Sequence, residues 1–310
     1  MLIDKLDKIE FPFDFDKNSG PKGGTIGIVG LGLIGGSFAK AYKTRAPKFK
    51  VYATNRTKTT LQRAIDDGFA DGVLDENTIQ ECDLILINLF PEAAINYIKE
   101  NKKFFKPNTI VADTCGNKRG ICKEGFALAE DEDFCFIGAH PMAGTQFSGY
   151  KNSKPEMFDG SSMILVPTLK SELDITPKQE MIISRLRTLL APIGFGEYRV
   201  TDAATHDRII AYTSQLGHVI ASSYIKDPIA LESYGFTGGS FRDMTRIAFC
   251  NSAMWSELFI ENKDNLTKEI DFMIGELKKY RDVIEAEDRE KLIEMLDDGS
   301  MRKEEADRHE

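Results

Sequence analysis

The residue best placed to do chemistry is a histidine inside a run of small residues, GAHPMAG at 138–144. His140 follows the apolar run 134–137, which we predict to be a strand, so its imidazole lies near a strand end. Pro141 favours an extended backbone at His140, and the nearby glycines allow a ligand to approach closely. A neutral imidazole there can accept a proton from a substrate. The alternative is a core histidine bonded to a backbone carbonyl.

A glycine-rich loop precedes this histidine in the chain and predicts a nucleotide site. Three glycines form a G-x-G-x-x-G pattern between the apolar run 24–29 and a helical run at 36–42. In a dinucleotide-binding fold they allow a tight turn, close approach to pyrophosphate and close packing of helix on strand. The helix N-terminus then favours the anion. We expect the cofactor to contact Gly30, Gly32, Leu33, Ile34 and Gly35. The alternative is a turn that holds no nucleotide.

The end of the next strand, at 49–54, indicates which cofactor is used. An NAD site usually has Asp or Glu there, about 20 residues past the glycines, on the ribose hydroxyl. This chain has Asn55 and Arg56 instead. A carboxylate would repel a 2′-phosphate by about 4 kcal/mol per pair of unit charges at about 4 Å, whereas an arginine can pair with it. We therefore expect Asn55 and Arg56 to contact the cofactor and NADP to be favoured over NAD. Alternatively, Arg56 only stacks on the adenine of either cofactor.

Short apolar runs separated by helical patterns must position these groups. The predicted strands are 24–29, 49–54, 84–89, 109–113, 134–137, 162–167 and 195–200. Such alternation predicts an α/β fold with a mostly parallel sheet, whose ligands bind beyond the carboxyl ends of the strands. Asp113 lies at such an end, as does His140. We therefore expect the two loops to converge and Asp113 to contribute to the cofactor site.

After residue 200 the pattern becomes helical. A helix is predicted from about 203 to 225, where Ser214 and His218 lie one turn apart. A second is predicted at 240–248, and a third begins at Asn251 and carries Trp255. Heptad-like apolar positions continue to about 297, and we expect the charged tail 299–310 to fray. The predicted division is an N-terminal extension, 1–22, a dinucleotide-binding domain, 23–200, and a helical substrate and dimerisation domain, 201–310.

Composition excludes several classes of partner. The chain has 310 residues and a net charge of −9, which argues against nucleic acid and anionic membranes. Five cysteines without metal-ligand spacing are typical of reduced thiols, so we expect no metal site. No apolar run approaches membrane-spanning length, and residues 1–22 lack the apolar core of a signal peptide. We expect a cytoplasmic protein with a small-molecule substrate.

Taken in order, the motifs resemble those of the prephenate/arogenate dehydrogenase family, over about residues 24–262. The glycine loop alone is unspecific, whereas the ordered set is highly specific. The segments that carry the resemblance are GLGLIGGS at 30–37, DTCGNK at 113–118, HPMAG at 140–144, HDR at 206–208, SQLGH at 214–218, FRDMTRIA at 241–248 and MW at 254–255. The resemblance implies a Rossmann-type dinucleotide-binding domain followed by an all-helical substrate and dimerisation domain, and a homodimer.

The resemblance also implies an oxidative decarboxylation. Hydride leaves the C4 carbon of the cyclohexadiene ring for a nicotinamide, the ring carboxylate leaves as CO2, and the ring becomes aromatic. By resemblance, His140 accepts the hydrogen bond or proton of the C4 hydroxyl, and Arg246 binds the ring carboxylate. The remaining pocket residues implied are His218, at the pyruvyl side chain, together with Ser214, Trp255 and Gly116.

Several positions depart from the common pattern of the family. Gly116 stands where a serine is common, and Gln215 and Gly217 stand where many members have His and Pro. His218 favours prephenate, because a histidine cation would repel the ammonium of arogenate. Arogenate dehydrogenase is the close alternative, and a nucleotide-binding regulator without catalysis is the alternative of another class.

Two further side-chain roles are predicted from the same motifs. We expect Arg242 to form a surface ion pair rather than to bind substrate. For the adjacent pair His206 and Asp207, a structural role and a functional one stay equally open.

Overall fold

The computed structural model describes residues 23–170 and 175–308, so the predicted extension 1–22 lies outside the described residues. One eight-stranded sheet organises the first part of the chain. Its strands are β1 (Thr25–Val29), β2 (Lys50–Thr54), β3 (Gly72–Val73), β4 (Leu84–Ile87), β5 (Ile110–Asp113), β6 (Cys135–Pro141), β7 (Ser162–Val166) and β8 (Glu197–Val200).

The order along the sheet is β3-β2-β1-β4-β5-β6-β7-β8. All neighbouring strands pair in parallel except β6 and β7, which are antiparallel. The predicted mostly parallel sheet is therefore confirmed. Strand β3 was not predicted, because two residues are too short to show any periodicity. The central strands are buried on both faces, which is why they read as continuous apolar runs in the sequence.

Five α-helices flank this sheet and bury its two faces. They are α1 (Leu33–Arg45), α2 (Lys58–Asp66), α3 (Pro91–Asn101), α4 (Arg119–Ala129) and α5 (Pro177–Leu190). One core cluster lies under α1 and α5 and contains Phe38 and Phe158, whose rings stack with centroids 4.3 Å apart. The other core cluster contains Ile85 and Phe136, on the face covered by α3 and α4. The sheet is thus the middle layer of three.

Strand β6 is longer than predicted and places the key histidine inside it. The sequence predicted a strand at 134–137 with His140 beyond its end, but β6 continues to Pro141. The extension forms because β7 pairs antiparallel with these residues, His140 lying opposite Ile164. This tertiary pairing is not visible in a local pattern, and it fixes the backbone of His140 rather than leaving it in a loop.

The second part of the described chain is helical. It contains α6 (Ala203–Ile210), a π-helix (Ala211–Leu216), α7 (Gly217–Tyr224), α8 (Gly239–Thr245), a 3₁₀ turn (Arg246–Ala248), α9 (Ser252–Glu261), α10 (Lys263–Glu285) and α11 (Arg289–Asp307). The predicted starts are confirmed by their caps. The Asp202 carboxylate accepts from the Thr205 backbone N–H, and the Asn251 side chain accepts from that of Met254. No helix in the described ranges is long and apolar enough to cross a membrane.

The charged tail is more ordered than predicted. We expected residues 299–310 to fray, but α11 continues to Asp307. Ion pairs at the i,i+4 spacing support it, between Arg302 and Asp298 and between Lys303 and Asp307. Opposite charges at helical spacing therefore decided the local structure where the expectation relied on charge content alone.

A chain of buried amides connects the sheet domain to the helices. The Asn117 amide donates to the Leu258 carbonyl at 2.9 Å, and its oxygen accepts from Gln215 at 2.9 Å. Asn262 donates to the Gln215 side-chain oxygen at 2.9 Å and to the Asp207 carbonyl at 2.7 Å. Gln215, a departure from the common family pattern, is thus the middle of this connection. It holds α6, α9 and the loop after β5 in fixed positions around one site.

Candidate active site

The glycine loop has the geometry that a pyrophosphate requires. Gly30 has φ of 89°, and a Cβ there would lie 2.6 Å from the Asn88 carbonyl oxygen, so only glycine fits. A Cβ on Gly35 would collide with the Gly30 carbonyl, which explains the close packing of α1 on the loop. Gly32 faces open space, and α1 begins there without a side-chain cap or an acidic residue in its first turn. The helix N-terminus is therefore available to an anion.

The two residues after β2 have different roles. The Asn55 side-chain oxygen accepts from the Leu31 N–H at 3.0 Å, and its amide donates to the Thr57 carbonyl at 3.1 Å. Its polar atoms thus tie the glycine loop to the end of β2, and its predicted contact with the cofactor stays a prediction. Arg56 is exposed and forms no ion pair within the described parts of the chain, so its guanidinium is available to an anion.

Asp113 does not face a cofactor, which corrects its predicted role. Its side chain is fully buried and forms an ion pair with the equally buried Lys118. Its oxygens also accept from the backbone N–H of Cys115 at 2.8 Å and of Ala139 at 3.3 Å. Both carboxylate oxygens are therefore occupied inside the protein. Asp113 joins the loop after β5 to the end of β6.

His140 is the first member of a hydrogen-bonded chain of three side chains. Its Nδ1 lies 3.0 Å from Nε2 of His206, and Nδ1 of His206 lies 2.8 Å from Oδ1 of Asp207. A carboxylate only accepts, so His206 donates from Nδ1 and its Nε2 is an acceptor. His140 must then donate from Nδ1. Its Nε2 keeps the free lone pair, and because the ring is only partly buried, that nitrogen can meet a ligand.

The electrostatics favour a neutral His140. Burial lowers its pKa well below 6.5, and the neighbouring His206 and the Lys118 cation lower it further. Burial also lowers the pKa of His206, against the opposing effect of Asp207. For Asp207, burial opposes ionisation, but hydrogen bonds from His206 and the Arg119 backbone outweigh it and lower the pKa. The chain therefore holds one carboxylate and two neutral imidazoles, ready to accept a proton at His140.

A second cluster is built from α7, α9 and the turn after α8. The rings of His218 and Trp255 contact with centroids 3.7 Å apart. Burial lowers the pKa of His218, and the nearby Arg246 charge lowers it further, against hydrogen bonding to the Ile247 backbone. The buried Nδ1 of His218 has no hydrogen-bond partner within residues 23–170 and 175–308. Arg246 is exposed and forms no ion pair with any described residue. This cluster offers a free cation and an unpaired ring nitrogen to a ligand.

Gly116 packs against the helix that carries Trp255. A Cβ on Gly116 would lie 2.9 Å from Cδ2 of Leu258, on the helix that carries Trp255. Leu258 thus fills the space that a side chain at residue 116 would need. Ser214 is partly buried in the π-helix, a form frequent at functional sites. Its hydroxyl forms no hydrogen bond with the described residues, so its predicted substrate contact stays a prediction.

Arg242 corrects another expectation. It is exposed, but its Nε donates to the Gly238 carbonyl at 3.3 Å, and no described carboxylate pairs with it. The bond closes one turn of its own helix, α8. Arg242 therefore bonds to the residue that begins its own helix rather than forming a surface ion pair with a described residue.

Comparison with known proteins agrees with this geometry. A family model described as the prephenate dehydrogenase nucleotide-binding domain matches residues 38–185, and one described as the dimerization domain matches residues 202–298. A cyclohexadienyl dehydrogenase of Zymomonas mobilis is 30% identical over 278 residues, which cover 87% of this chain and 91% of that protein. The chain belongs to the prephenate dehydrogenase family. It is therefore an oxidoreductase that binds NAD(P) through a Rossmann-type domain.

Other members of the prephenate dehydrogenase family are similar in sequence and in fold. A prephenate dehydrogenase of Bacillus subtilis is 27% identical, covering 87% of this chain and 72% of that protein. The crystal structure of prephenate dehydrogenase from A. aeolicus, in complex with hydroxyphenyl propionate and NAD+, superposes with a TM-score of 0.77 at 25% identity. It covers 91% of this chain and 98% of that one. Synechocystis arogenate dehydrogenase shares the fold, with a TM-score of 0.74.

Some residues of this dehydrogenase site were not singled out from the sequence. Lys118 lies within the motif DTCGNK, but no local sequence pattern indicates that it is buried against Asp113. The packing of Leu258 on Gly116 cannot be predicted either, because a helical sequence pattern does not show which distant residue a side chain contacts. The His206–Asp207 pair had a signal, two adjacent polar residues on an otherwise apolar helix face, and the structure places His206 in hydrogen-bond contact with His140.

Proposed function

We propose that this protein is a prephenate dehydrogenase that catalyses the NAD(P)-dependent oxidative decarboxylation of prephenate to 4-hydroxyphenylpyruvate and CO2. The observation that carries the proposal is the hydrogen-bonded chain from Asp207 through His206 to His140. It leaves one neutral imidazole nitrogen free, and a second cluster, on the helices, carries an arginine without an ion pair among the described residues. The chemistry needs these two features, an acceptor for a hydroxyl proton and a cation for a carboxylate.

His140 Nε2 accepts the hydrogen bond of the C4 hydroxyl and takes on positive charge as the reaction proceeds. His206 Nε2 accepts from the opposite side of the His140 ring, and Asp207 stabilises the charge through His206. A bound nicotinamide supplies the acceptor for the hydride that leaves C4. The electrons of the bond between C1 and the carboxylate move into the ring as CO2 departs, and the C4 oxygen recovers its proton from His140 and remains as the phenol. A positioned base contributes about 10²–10⁴ in rate.

We assign Arg246 to the ring carboxylate and His218 to the side-chain end of the substrate, with Trp255 as one wall of the pocket. An unpaired guanidinium binds a carboxylate with good geometry, and pairing with substrate satisfies a cation that the protein leaves free. Ser214 is proposed as an additional polar contact. These roles are supported by the contact between His218 and Trp255 and by the proximity of Arg246 to His218.

One observation favours arogenate as a second candidate substrate. A His218 cation would repel the ammonium of arogenate. Burial and the charge of Arg246 lower the pKa of His218, however, so the neutral ring is favoured near pH 7. A neutral imidazole does not repel the ammonium of arogenate. The charge of His218 therefore does not exclude arogenate as the substrate.

We propose NADP as the preferred cofactor. Arg56 is exposed and unpaired beside the start of α2, and this end of β2 carries no carboxylate. The first turn of α2 has no acidic residue, so the N-terminus adds a favourable dipole for a 2′-phosphate. For NAD, this end of β2 lacks the acidic residue that usually binds the ribose hydroxyl.

We propose that two copies associate through the helical domain, taken as residues 201–310. Large apolar side chains stand exposed between α7 and α8, among them Leu231 at 92%, Tyr234 at 96% and Phe236 at 90% of their full exposure. Apolar residues in such density mark an interface. The dimerization-domain model that matches residues 202–298 supports the same assignment.

The purified protein, offered prephenate and arogenate with NAD+ and with NADP+, tests the proposal. We expect the highest kcat/KM with prephenate and NADP+, measured by formation of reduced nicotinamide. A higher kcat/KM with arogenate would select the second candidate. Tight binding of NADP+ without turnover of either substrate would contradict the enzymatic proposal and indicate a nucleotide-binding regulator.

A further inference from the structure

We infer that Lys118 is a positioning residue that fixes the geometry and the charge state of His140, an inference that rests on the proposed function. Lys118 is fully buried, and its ammonium forms an ion pair with Asp113. The same ammonium donates to the Ala139 carbonyl oxygen at 2.7 Å. Ala139 directly precedes His140, so the cation holds the peptide from which the catalytic imidazole projects.

The backbone of Lys118 reaches the other end of the catalytic chain. Its N–H donates to Oδ1 of Asp207 at 2.7 Å, and this oxygen also accepts from His206. Lys118 therefore contacts Asp207 through its amide and, through its ammonium, the carbonyl of Ala139, the residue that precedes His140. A purely structural ion pair would not need this double connection.

The charges around His140 give Lys118 an electrostatic role as well. Several charged or titratable groups lie on the elements packed around His140. They are His206 and Asp207 on α6, Asp113 at the end of β5, Lys118 in the loop after β5, and Arg119 at the start of α4, which pairs with Asp207. Cys115 and Cys122 also lie near Lys118, and burial raises their pKa so that they stay neutral.

Burial is the largest single influence on the pKa of Lys118 and lowers it, but the attraction of Asp113, its hydrogen bond and smaller effects of Cys115 and Cys122 together raise that pKa, so Lys118 stays charged. The positive charge of Lys118 disfavours protonation of the His140 imidazole. Near neutral pH the Nε2 nitrogen of His140 therefore stays unprotonated and can accept a proton. Burial and His206 lower the pKa of His140 more than Lys118 does, so Lys118 adjusts the pH at which activity is lost on the acid side.

Substitution can separate these roles. Lys118→Met removes the ammonium but keeps the backbone N–H that donates to Asp207. Asp113→Asn removes the carboxylate that keeps the buried ammonium charged, with little change in shape. The double variant Lys118→Met/Asp113→Asn leaves no unpaired buried charge. Lys106→Met is the matched control, because Lys106 pairs with Asp83 away from His140.

Two readouts follow His140, the pH profile of kcat and the NMR titration of its imidazole. For Lys118→Met we expect kcat to fall about 10- to 100-fold through lost positioning. We expect the imidazole titration to move up by about one pH unit, because a like charge is gone. Asp113→Asn should also move it up, because Lys118 then lacks the carboxylate that keeps it charged, and the double variant should match Lys118→Met. Lys106→Met should leave both readouts unchanged.

The imidazole titration needs no turnover, so it separates failure of this inference from failure of the proposed function. An unchanged His140 titration in both Lys118→Met and Asp113→Asn would overturn the inference, even with active enzyme. If Lys118→Met does not fold, the double variant and Asp113→Asn decide, since neither leaves an unpaired carboxylate. A wild-type protein without turnover but with the expected order of titrations would reject the function and keep the role of Lys118.

Discussion

A single residue, His140, carries the proposed chemistry, and its neighbours decide which nitrogen reacts. Asp207 orients His206, and His206 leaves only one tautomer for His140. The sequence indicated the reactive histidine but left His206 and Asp207 undecided. Hydrogen bonds between residues 66 apart in the chain are not written in any local pattern.

Two arginines one helical turn apart form a matched pair for testing the carboxylate site. Arg246→Ala should raise KM for substrate about 10- to 100-fold, because a hydrogen-bonded pair with a charged group contributes about 1.5–3 kcal/mol. Arg242→Ala should change KM little, since Arg242 bonds only to its own helix backbone. Steady-state kinetics of both variants check this. A larger effect for Arg242→Ala would mean that Arg242, and not Arg246, binds the substrate carboxylate.

Arg56 tests the cofactor preference. Arg56→Ala should lower kcat/KM with NADP+ about tenfold or more and leave kcat/KM with NAD+ nearly unchanged, because only NADP carries the 2′-phosphate that the guanidinium can pair with. The two cofactors are compared at saturating substrate. Equal losses with both cofactors would mean that Arg56 stacks on the adenine instead.

At the scale of elements, periodicity predicted most of the sheet and the helices, but their contacts came only from the structure. The glycine loop was placed correctly between β1 and α1 because its motif is local. Asn55 and Asp113 were assigned to the cofactor from position alone. Their side chains prove to be occupied by Leu31 and Lys118, partners on other elements.

Contact between the loop after β5 and α9 makes Gly116 and Leu258 a coupled pair. Gly116→Ser should lower stability by about 1–3 kcal/mol, because the new Cβ overlaps Leu258. Adding Leu258→Ala should recover part of that loss, so the double variant should be more stable than the sum of the two single effects predicts. Thermal or denaturant unfolding of the four proteins measures this coupling. Strict additivity would show that the two residues do not share this space.

For the whole molecule, the helical domain exposes more apolar surface than a monomer requires. Phe236→Asp should shift the protein from dimer to monomer at micromolar concentration, since it places a charge in the proposed interface. Met181→Asp, an equally large change at an exposed methionine of α5, is the control. Sedimentation or light scattering measures the mass. A wild-type monomer, or a dimer unaffected by Phe236→Asp, would contradict the proposed interface.

The central claim is that neutral His140 is the base of the reaction, and the pH dependence of kcat with and without it tests this most directly. Because burial, His206 and Lys118 lower the pKa of His140, wild-type kcat should stay high as pH falls to 6.5 and decline only below that value. His140→Asn should lower kcat by about 10²–10⁴, remove this acid limb and leave cofactor affinity nearly unchanged. Full activity with the same acid limb in His140→Asn would contradict the account.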